Sequence, residues 1–256
     1  MRLTVNGQSL TYEDDRGEAA PLGSPQRFAA VVLLLTVLSM SALATMSADA
    51  EAPALGDAQG ASALPGEIPL FPLPETTLFP GVSRPFLIFE PRYREMIADA
   101  LKGDGIIGMV RLRPGFEKDY EGRPPIYAIG CAGTIEEYEQ LPDGRYVILL
   151  RGLTTFRVLS EDRRKPYRLA RIEPIPELLT DDERVVLSTL RNRIEKLLST
   201  LLPSGTEPPD PSLDDDEFVN IIAQNLGMPE AERQQLLERN SVLARARALA
   251  ELLERK

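Results

Sequence analysis

The pattern of apolar and polar residues divides the chain into three segments. Residues 67–178 carry short apolar runs separated by glycine and proline, which is typical of short strands that close into a small barrel. In residues 179–256, apolar residues recur at helical spacing, which predicts amphipathic helices. Residues 1–66 combine one apolar run with a stretch rich in Ala, Gly, Asp and Pro that is typical of a flexible linker. The expected fold class is therefore α+β.

The predicted strands lie in the middle segment. Ile68 to Pro74 alternates apolar residues with proline, and proline cannot donate a hydrogen bond to a central ladder, so an extended segment or a sheet edge is expected. Pro142-Asp-Gly144 predicts a hairpin turn between two later strands. The runs that we interpret as strands are residues 85–89, 106–110, 127–130, 134–138, 146–150, 155–159 and 167–172.

Residues that commonly start and end helices predict the helix boundaries. Pro91 suits a first turn, and Gly103 is expected to be the C-cap of that helix. Thr180 and Glu183 have the spacing of a capping box at the start of a long helix. Two last helices are predicted, from Pro229 to Glu238 and from about Ser241 to Glu254.

The amino-terminal segment contains an uncharged apolar run from Phe28 to Met46, about as long as a helix that spans a bilayer. Acidic residues precede the run, from Glu13 to Glu18, and they suit a signal peptide poorly. Three interpretations stay open: a membrane anchor or export signal, a translation start at Met46 that omits the run, or a buried core helix. A start at Met46 implies a cytoplasmic protein, whereas a real anchor or signal implies a membrane-anchored or exported one.

Composition excludes several kinds of chemistry. The chain has no histidine, which removes every histidine-based general base and metal ligand. Its one cysteine, Cys131, stands in an apolar setting and is expected to be a buried, unreactive thiol. The sequence has neither a phosphate-binding loop nor an EF-hand pattern, and its net charge of -10 argues against a coat on nucleic acid or anionic lipid. We therefore expect no catalytic residue, no metal and no cofactor.

Several short motifs follow one another in a recognisable order. They are Pro69-Leu-Phe-Pro-Leu-Pro74, Leu78-Phe-Pro-Gly81, Ile88-Phe-Glu-Pro-Arg-Tyr93, Ile129-Gly-Cys-Ala-Gly-Thr-Ile135, Leu150-Arg-Gly-Leu153 and Pro166-Tyr167. With Glu232-Arg-Gln-Gln-Leu-Leu-Glu238, this series resembles the amino-terminal, substrate-binding domain of the Lon protease family over roughly residues 67–254. The resemblance implies a PUA-like β pseudo-barrel in residues 67–178, followed by a helical subdomain in residues 179–256. Many members carry histidine where Leu87 stands, so no role of that histidine is carried over.

The resemblance also implies a function. A full Lon protease continues into an ATPase module and a proteolytic domain, whereas this sequence ends at Lys256, so we expect recognition without ATP hydrolysis or peptide cleavage. The expected partners are client proteins or unfolded segments, with a separate protease as a further candidate and no small-molecule substrate. This is the pattern of an adaptor or regulator in protein quality control.

Candidate binding residues come from a long polar loop, Pro114 to Pro125, that carries aromatic side chains. Aromatic side chains on a loop are suitable anchors for a protein partner, so Phe116, Tyr120 and the neighbouring Tyr127 are the candidate protein-binding residues. The phenylalanines of the first motifs are instead expected in the core: Phe71, Phe79, Phe86 and Phe89.

An alternative function is RNA binding, which PUA-like barrels of other families perform. The stretch 145–171 is rich in basic residues, as expected for contacts to phosphates. The candidate RNA-binding residues are Arg151, Arg157, Arg163, Arg164 and Lys165. Because the chain is acidic overall, nucleic acid is the less favoured partner.

Overall fold

The computed structural model describes residues 2–5, 8–11, 64–116, 122–201, 209–239 and 241–255. The chain divides into two compact units, residues 1–59 and 60–256. In the first unit, strands β1 (Arg2–Val5) and β2 (Gln8–Thr11) form an antiparallel hairpin. The apolar run from Phe28 to Met46 lies outside the described residues. No helix within the described ranges has the length and apolar character needed to cross a bilayer.

The second unit contains a mixed, six-stranded sheet. Its strands are β3 (Glu67–Leu73), β4 (Ser83–Ile88), β5 (Ile106–Arg111), β6 (Ile129–Gln140), β7 (Tyr146–Asp162) and β8 (Arg168–Ile175). They are ordered β4-β7-β6-β5-β3-β8, and β8 pairs back with β7, so that five strands close on themselves and β4 lies outside the closed ring. Only the β3–β5 pair is parallel. The predicted PUA-like pseudo-barrel is confirmed.

Strand β3 shows how two prolines fit inside a closed sheet. Its first half, Glu67 to Leu70, pairs with β8, and its second half, Leu70 to Leu73, pairs with β5. Pro69 and Pro72 therefore each have a partner strand on one side only. Of the two predicted alternatives, the extended segment is confirmed and an edge strand is not, because β3 has a neighbour on each side. Each proline still has a neighbour on one side only, so neither must donate to a second strand.

Strands β6 and β7 are each continuous where the sequence predicts two shorter strands. Gly133 of β6 lies opposite Gly152 of β7, beside a shift in register between Ala132 and Gly133. A Cβ atom on Gly152 would lie 2.1 Å from the carbonyl oxygen of Phe79, so only glycine fits there. Gly152 thus allows the backbone at Phe79 to approach β7 closely, and neither Gly133 nor Gly152 ends its strand.

Among its described residues, the second unit also contains five helices: α1 (Pro91–Ala100), α2 (Asp181–Leu201), α3 (Asp215–Asn225), α4 (Glu230–Leu237) and α5 (Val242–Glu254). The capping box of α2 is confirmed, because the backbone N–H of Glu183 donates to Thr180 Oγ1 and that of Thr180 donates to Glu183 Oε2. Helix α1 ends earlier than expected. Its C-cap is Leu101, and the glycine with positive φ in the following turn is Gly105 rather than Gly103.

The barrel and the helices share one hydrophobic core. Phe79 and Leu150 from the barrel side belong to the same buried cluster as Phe218 of α3 and Leu249 of α5. A second, smaller cluster lies within the barrel and includes Phe156. Burial of this shared surface holds the helical subdomain against the sheet.

One buried ion pair also connects the parts of this core. Arg245 of α5 is fully buried and donates from Nη2 to Glu177 Oε1 at 2.7 Å and from Nη1 to Asn220 Oδ1 at 2.6 Å. Its guanidinium carbon lies 5.4 Å from the centre of the Phe79 ring. Glu177 precedes α2 and Asn220 belongs to α3, so one side chain joins three parts of the fold.

Candidate functional site

The loop that carries the predicted aromatic residues is an extension of the barrel. After β5, Leu112 forms a bridge with Ile126, and the backbone N–H of Arg113 donates to the carbonyl of Pro125. Residues 112–116 and 122–127, which we call the arm, therefore run alongside each other beyond the end of β5.

The arm carries two of the three predicted protein-binding residues. Phe116 is 44% exposed, and Tyr127 is half-buried with the guanidinium carbons of Arg111 and Arg113 at 5.4 and 5.1 Å from its ring centre. Tyr120 lies outside the described residues. Contact with two guanidinium groups holds the Tyr127 ring in place, whereas Phe116 presents apolar surface to the solvent.

The basic stretch 145–171 is largely neutralised. Four of the five predicted RNA-binding residues lie beside carboxylates: Arg151 beside Glu217 at 3.6 Å, Arg157 beside Glu173 at 3.6 Å, Arg164 beside Glu67 at 2.8 Å and Lys165 beside Asp99 at 2.8 Å. Only Arg163 has no ion pair with the described residues. Charges that are already paired are poorly suited to phosphate contacts, so this stretch does not support the RNA alternative.

A pocket of about 400 Å³ lies where α1, the arm and the turn between β7 and β8 meet. Four guanidinium groups and two tyrosine rings line it, from Arg92, Arg123, Arg163, Arg168, Tyr93 and Tyr167. We call it the arginine pocket. Of these residues, sequence reasoning singled out Arg163 as a binding residue, but it gave no reason to place it beside Arg92 or Arg123, which belong to other parts of the chain.

Hydrogen bonds fix the walls of the arginine pocket. Arg123 donates to the carbonyl oxygens of Asp162, Lys165 and Tyr167 at 2.8, 3.0 and 3.3 Å, which holds the returning end of the arm against the β7–β8 turn. The Tyr167 hydroxyl donates to Asp99 Oδ2 at 2.9 Å. Hydrogen bonds from Lys165, Lys102 and Tyr167 hold the pKa of Asp99 well below its usual range. Asp99 is thus an ionised acceptor at neutral pH.

Strand β4 presents an exposed apolar row. Leu87 is 41% exposed and Phe89, one residue past the strand, is 56% exposed, while the alternate residues Phe86 and Ile88 pack against the core. The expectation that Phe89 lies in the core is therefore wrong, because alternate side chains of a strand point to opposite faces and Phe89 shares the outward face with Leu87. We call Pro85, Leu87 and Phe89 the β4 row.

The backbone of β4 is also open on one side. The strand pairs with β7, and no other described strand pairs with it. The carbonyl of Val82 accepts a hydrogen bond from Gly152 N, which directs the backbone groups of residues 84, 86 and 88 toward β7. Leu87 then presents its backbone N–H and C=O to the open side, and Pro85, which has no N–H, shares that side.

The sequence has no histidine, and the structure places its one thiol in the core. Cys131 is fully buried, as expected, and its burial raises the pKa of the thiol well above the usual range. No group of three acidic or cysteine side chains among the described residues is arranged to hold a metal ion. The features that the structure exposes are the apolar β4 row, the arm with its aromatic side chains and the arginine pocket, and each is suited to binding another molecule.

Comparisons with known proteins agree with this architecture. Lon protease from Anaeromyxobacter dehalogenans is 29% identical over 199 residues, and Lon protease 2 from Myxococcus xanthus is 27% identical over 199 residues. Each alignment covers 75% of this chain and 24% of the relative, so the chain spans about a quarter of the length of these relatives.

The fold also has a solved counterpart. The amino-terminal domain of Lon protease from the Mycobacterium avium complex superposes with a TM-score of 0.55 and 17% identity, over 73% of this chain and 98% of that structure. Residues 67–255 match the family described as the ATP-dependent protease La (LON) substrate-binding domain. This chain therefore belongs to the Lon substrate-binding domain family.

Proposed function

We propose that this chain is a non-catalytic module that binds unfolded or extended segments of client proteins and serves as an adaptor or regulator in protein quality control. The observation that carries the proposal is the match of residues 67–255, nearly the whole second unit, to a substrate-binding domain. The relatives named above are Lon proteases. From them we infer for this chain the recognition of a protein substrate and not its cleavage.

The β4 row and the arm are the surfaces that we assign to client binding. Large apolar side chains exposed together commonly mark a contact surface, and Leu87 and Phe89 lie side by side next to an open strand edge. An extended client segment can add to such an edge through main-chain hydrogen bonds while its side chains cover the apolar row. Phe116 and Tyr127 of the arm would provide a second contact, and Tyr120, which lies outside the described residues, stays a predicted contact of the same loop.

Binding of an unfolded reporter tests this proposal. The full chain is titrated into fluorescently labelled lactalbumin that has been reduced and carboxymethylated, with native lactalbumin as the folded comparison, and anisotropy is recorded. We expect binding to the unfolded form and little or none to the native form. Equal binding to both forms would sink the proposal, because it would show no preference for extended chain.

Matched variants locate the contact. Each half-exposed apolar side chain that becomes buried contributes about 1 kcal/mol, so a double variant Leu87→Ser, Phe89→Ser is expected to weaken binding by at least about tenfold. Phe116→Ala is expected to weaken it by about threefold to tenfold. The control is Val185→Ser, because Val185 is 69% exposed on α2 and belongs to neither surface. A loss in the control as large as in the double variant would argue against the β4 row.

The adaptor role has a separate test, since an adaptor must also affect a protease. A purified Lon-type protease is given the unfolded reporter with and without the full chain, and the rate of degradation is followed. A change in rate that disappears with the Leu87→Ser, Phe89→Ser variant is expected for an adaptor or regulator. Degradation at the same rate in all three conditions would remove that role while leaving client binding intact.

A further inference from the structure

We infer that the arginine pocket is an anion-binding subsite that accepts a carboxylate group of a client segment. The inference rests on the proposed function and adds a chemical preference to it: clients would be favoured when an acidic residue or a carboxyl terminus reaches the pocket. The pocket is distinct from the β4 row, which is apolar, and none of the described residues that line it carries a carboxylate.

The charges of the pocket are only partly balanced. Arg92 lies 2.8 Å from Glu90, and Arg168 lies 2.9 Å from Glu161. Arg123 is held by three backbone carbonyls, which occupy three of the five N–H donors of its guanidinium and leave its charge uncancelled. Arg163 has no ion pair with a described residue. Arg123 and Arg163 thus pair with no described carboxylate, and a concave site with two such guanidinium groups favours a negatively charged ligand even on a chain of net charge -10.

The pocket is also organised before any ligand arrives. The Arg168 side chain is nearly buried and donates from Nη2 to the carbonyl of Pro124 at 2.5 Å, while Arg123 is fixed on the β7–β8 turn. Guanidinium groups held in place lose little side-chain freedom on binding, and their planar donors match the two oxygens of a carboxylate. A volume of about 400 Å³ has room for one or two side chains, at the small end of ligand sites.

A carboxylate suits this site better than the phosphates of a nucleic acid. The basic residues around it that could extend a phosphate track, Arg157, Arg164 and Lys165, lie beside carboxylates of the protein itself. The positive potential is therefore confined to one pocket rather than drawn out along a strand. Protein segments carry carboxylates on acidic side chains and at their carboxyl termini, which makes them the class of ligand that fits.

Two short peptides test the inference. Fluorescein-labelled octaglutamate and octaglutamine are titrated with the full chain at low ionic strength, and anisotropy is recorded. Arg163 is exposed and its side chain forms no ion pair with a described residue, so Arg163→Gln should fold normally. Arg171→Gln is the matched control, because Arg171 is exposed in the same basic stretch, loses the same charge and does not line the pocket.

We expect octaglutamate to bind and octaglutamine not to bind. Arg163→Gln should weaken octaglutamate binding by about tenfold, as expected for loss of one charge-assisted contact, and Arg171→Gln by less than about twofold. An equal loss in the two variants would overturn the inference, because it would indicate attraction to surface charge alone. Displacement of octaglutamate by millimolar inorganic phosphate more readily than by glutamate would overturn it as well, in favour of a phosphate site.

The failure of this inference is distinguishable from failure of the proposed function. If unfolded lactalbumin binds and the Leu87→Ser, Phe89→Ser variant weakens it while octaglutamate does not bind, only the pocket inference is wrong. If octaglutamate binds with the expected sensitivity to Arg163→Gln but unfolded protein does not bind, the anion site stands and the client-binding function does not.

Discussion

The buried pair between Arg245 and Glu177 makes a strong prediction about stability. Glu177→Gln keeps the shape of the side chain and one hydrogen-bond acceptor, but it removes the negative charge that faces a fully buried guanidinium. Removing one partner of a buried pair costs about 3–5 kcal/mol, because the remaining charge stays buried without compensation. The Glu177 side chain is 13% exposed, and Asn220 still accepts from Arg245, so the lower end of this range is expected.

A loss of about 3 kcal/mol is a large part of the free energy of unfolding of a domain, which is commonly about 5–15 kcal/mol. Urea unfolding of the full chain, followed by far-UV circular dichroism, measures it as a lower midpoint at an unchanged slope. Arg193→Gln is the control: Arg193 pairs with Glu254 on the surface, where loss of the pair costs at most about 1 kcal/mol.

A double variant sharpens the test. Arg245→Met removes the buried charge itself, so Glu177→Gln combined with Arg245→Met should be more stable than Glu177→Gln alone. If Glu177→Gln lowers the free energy of unfolding no more than Arg193→Gln does, the buried pair does not stabilise the fold as predicted. A double variant with a lower free energy of unfolding than Glu177→Gln alone would also contradict the prediction, because removing the buried charge would then bring no gain.

Three further predictions concern stability. Asp99→Asn should lower the free energy of unfolding by about 1 kcal/mol at pH 7. Because hydrogen bonds from Lys165, Lys102 and Tyr167 lower the pKa of Asp99 in the folded state, this contribution is complete above the unfolded-state pKa of about 3.9 and declines as pH falls toward the folded-state pKa. Urea titrations at pH 7 and pH 3 should therefore show a smaller difference at pH 3. Gly152→Ala should cost about 3 kcal/mol, because the added methyl group meets the Phe79 carbonyl, while Gly66→Ala, with nothing within 4 Å of its Cβ, should change stability by less than about 0.5 kcal/mol in thermal melts. Thr180→Ala should cost about 1 kcal/mol and speed amide exchange in the first turn of α2, and an unchanged exchange rate would argue against the cap.

Local chemistry made much of the fold predictable. The hairpin at Pro142-Asp-Gly144 joins β6 and β7 with Gly144 at φ 81°, and the capping box at Thr180 starts α2. Ser241 accepts from Ala244 N at the start of α5, close to the predicted boundary. These features were predictable because a few adjacent residues determine each of them.

Features that depend on distant residues were not predictable in the same way. Gly133 and Gly152 resemble strand ends in sequence, and only their pairing across β6 and β7 shows why both strands continue through them. Arg245 has the sequence appearance of a surface residue on an amphipathic helix, because its partner Glu177 lies far away in the chain. The hairpin of β1 and β2 is a different case, because Asn6-Gly7 between its strands is a common hairpin-turn sequence that the prediction overlooked.

The candidate site was predictable in part for the same reason. The exposure of Phe116 agrees with its place in a polar loop, whereas the exposure of Phe89 depends on which face of β4 is covered. The arginine pocket brings together Arg92, Arg123 and Arg163 from three separate parts of the chain. Counting charges along the sequence identifies only the stretch 145–171, and four of its candidate basic side chains lie beside carboxylates in the structure.

Hydrogen exchange with and without an unfolded client tests most directly whether this chain is a recognition module. The full chain is incubated with saturating reduced, carboxymethylated lactalbumin, and the exchange of backbone amides is followed by mass spectrometry. Client binding along the open edge predicts slower exchange in the peptide that covers β4, above all at the outward-facing amide of Leu87, and in residues 112–116 of the arm. Unchanged exchange in both regions, or protection confined to the outer face of α2, would contradict it.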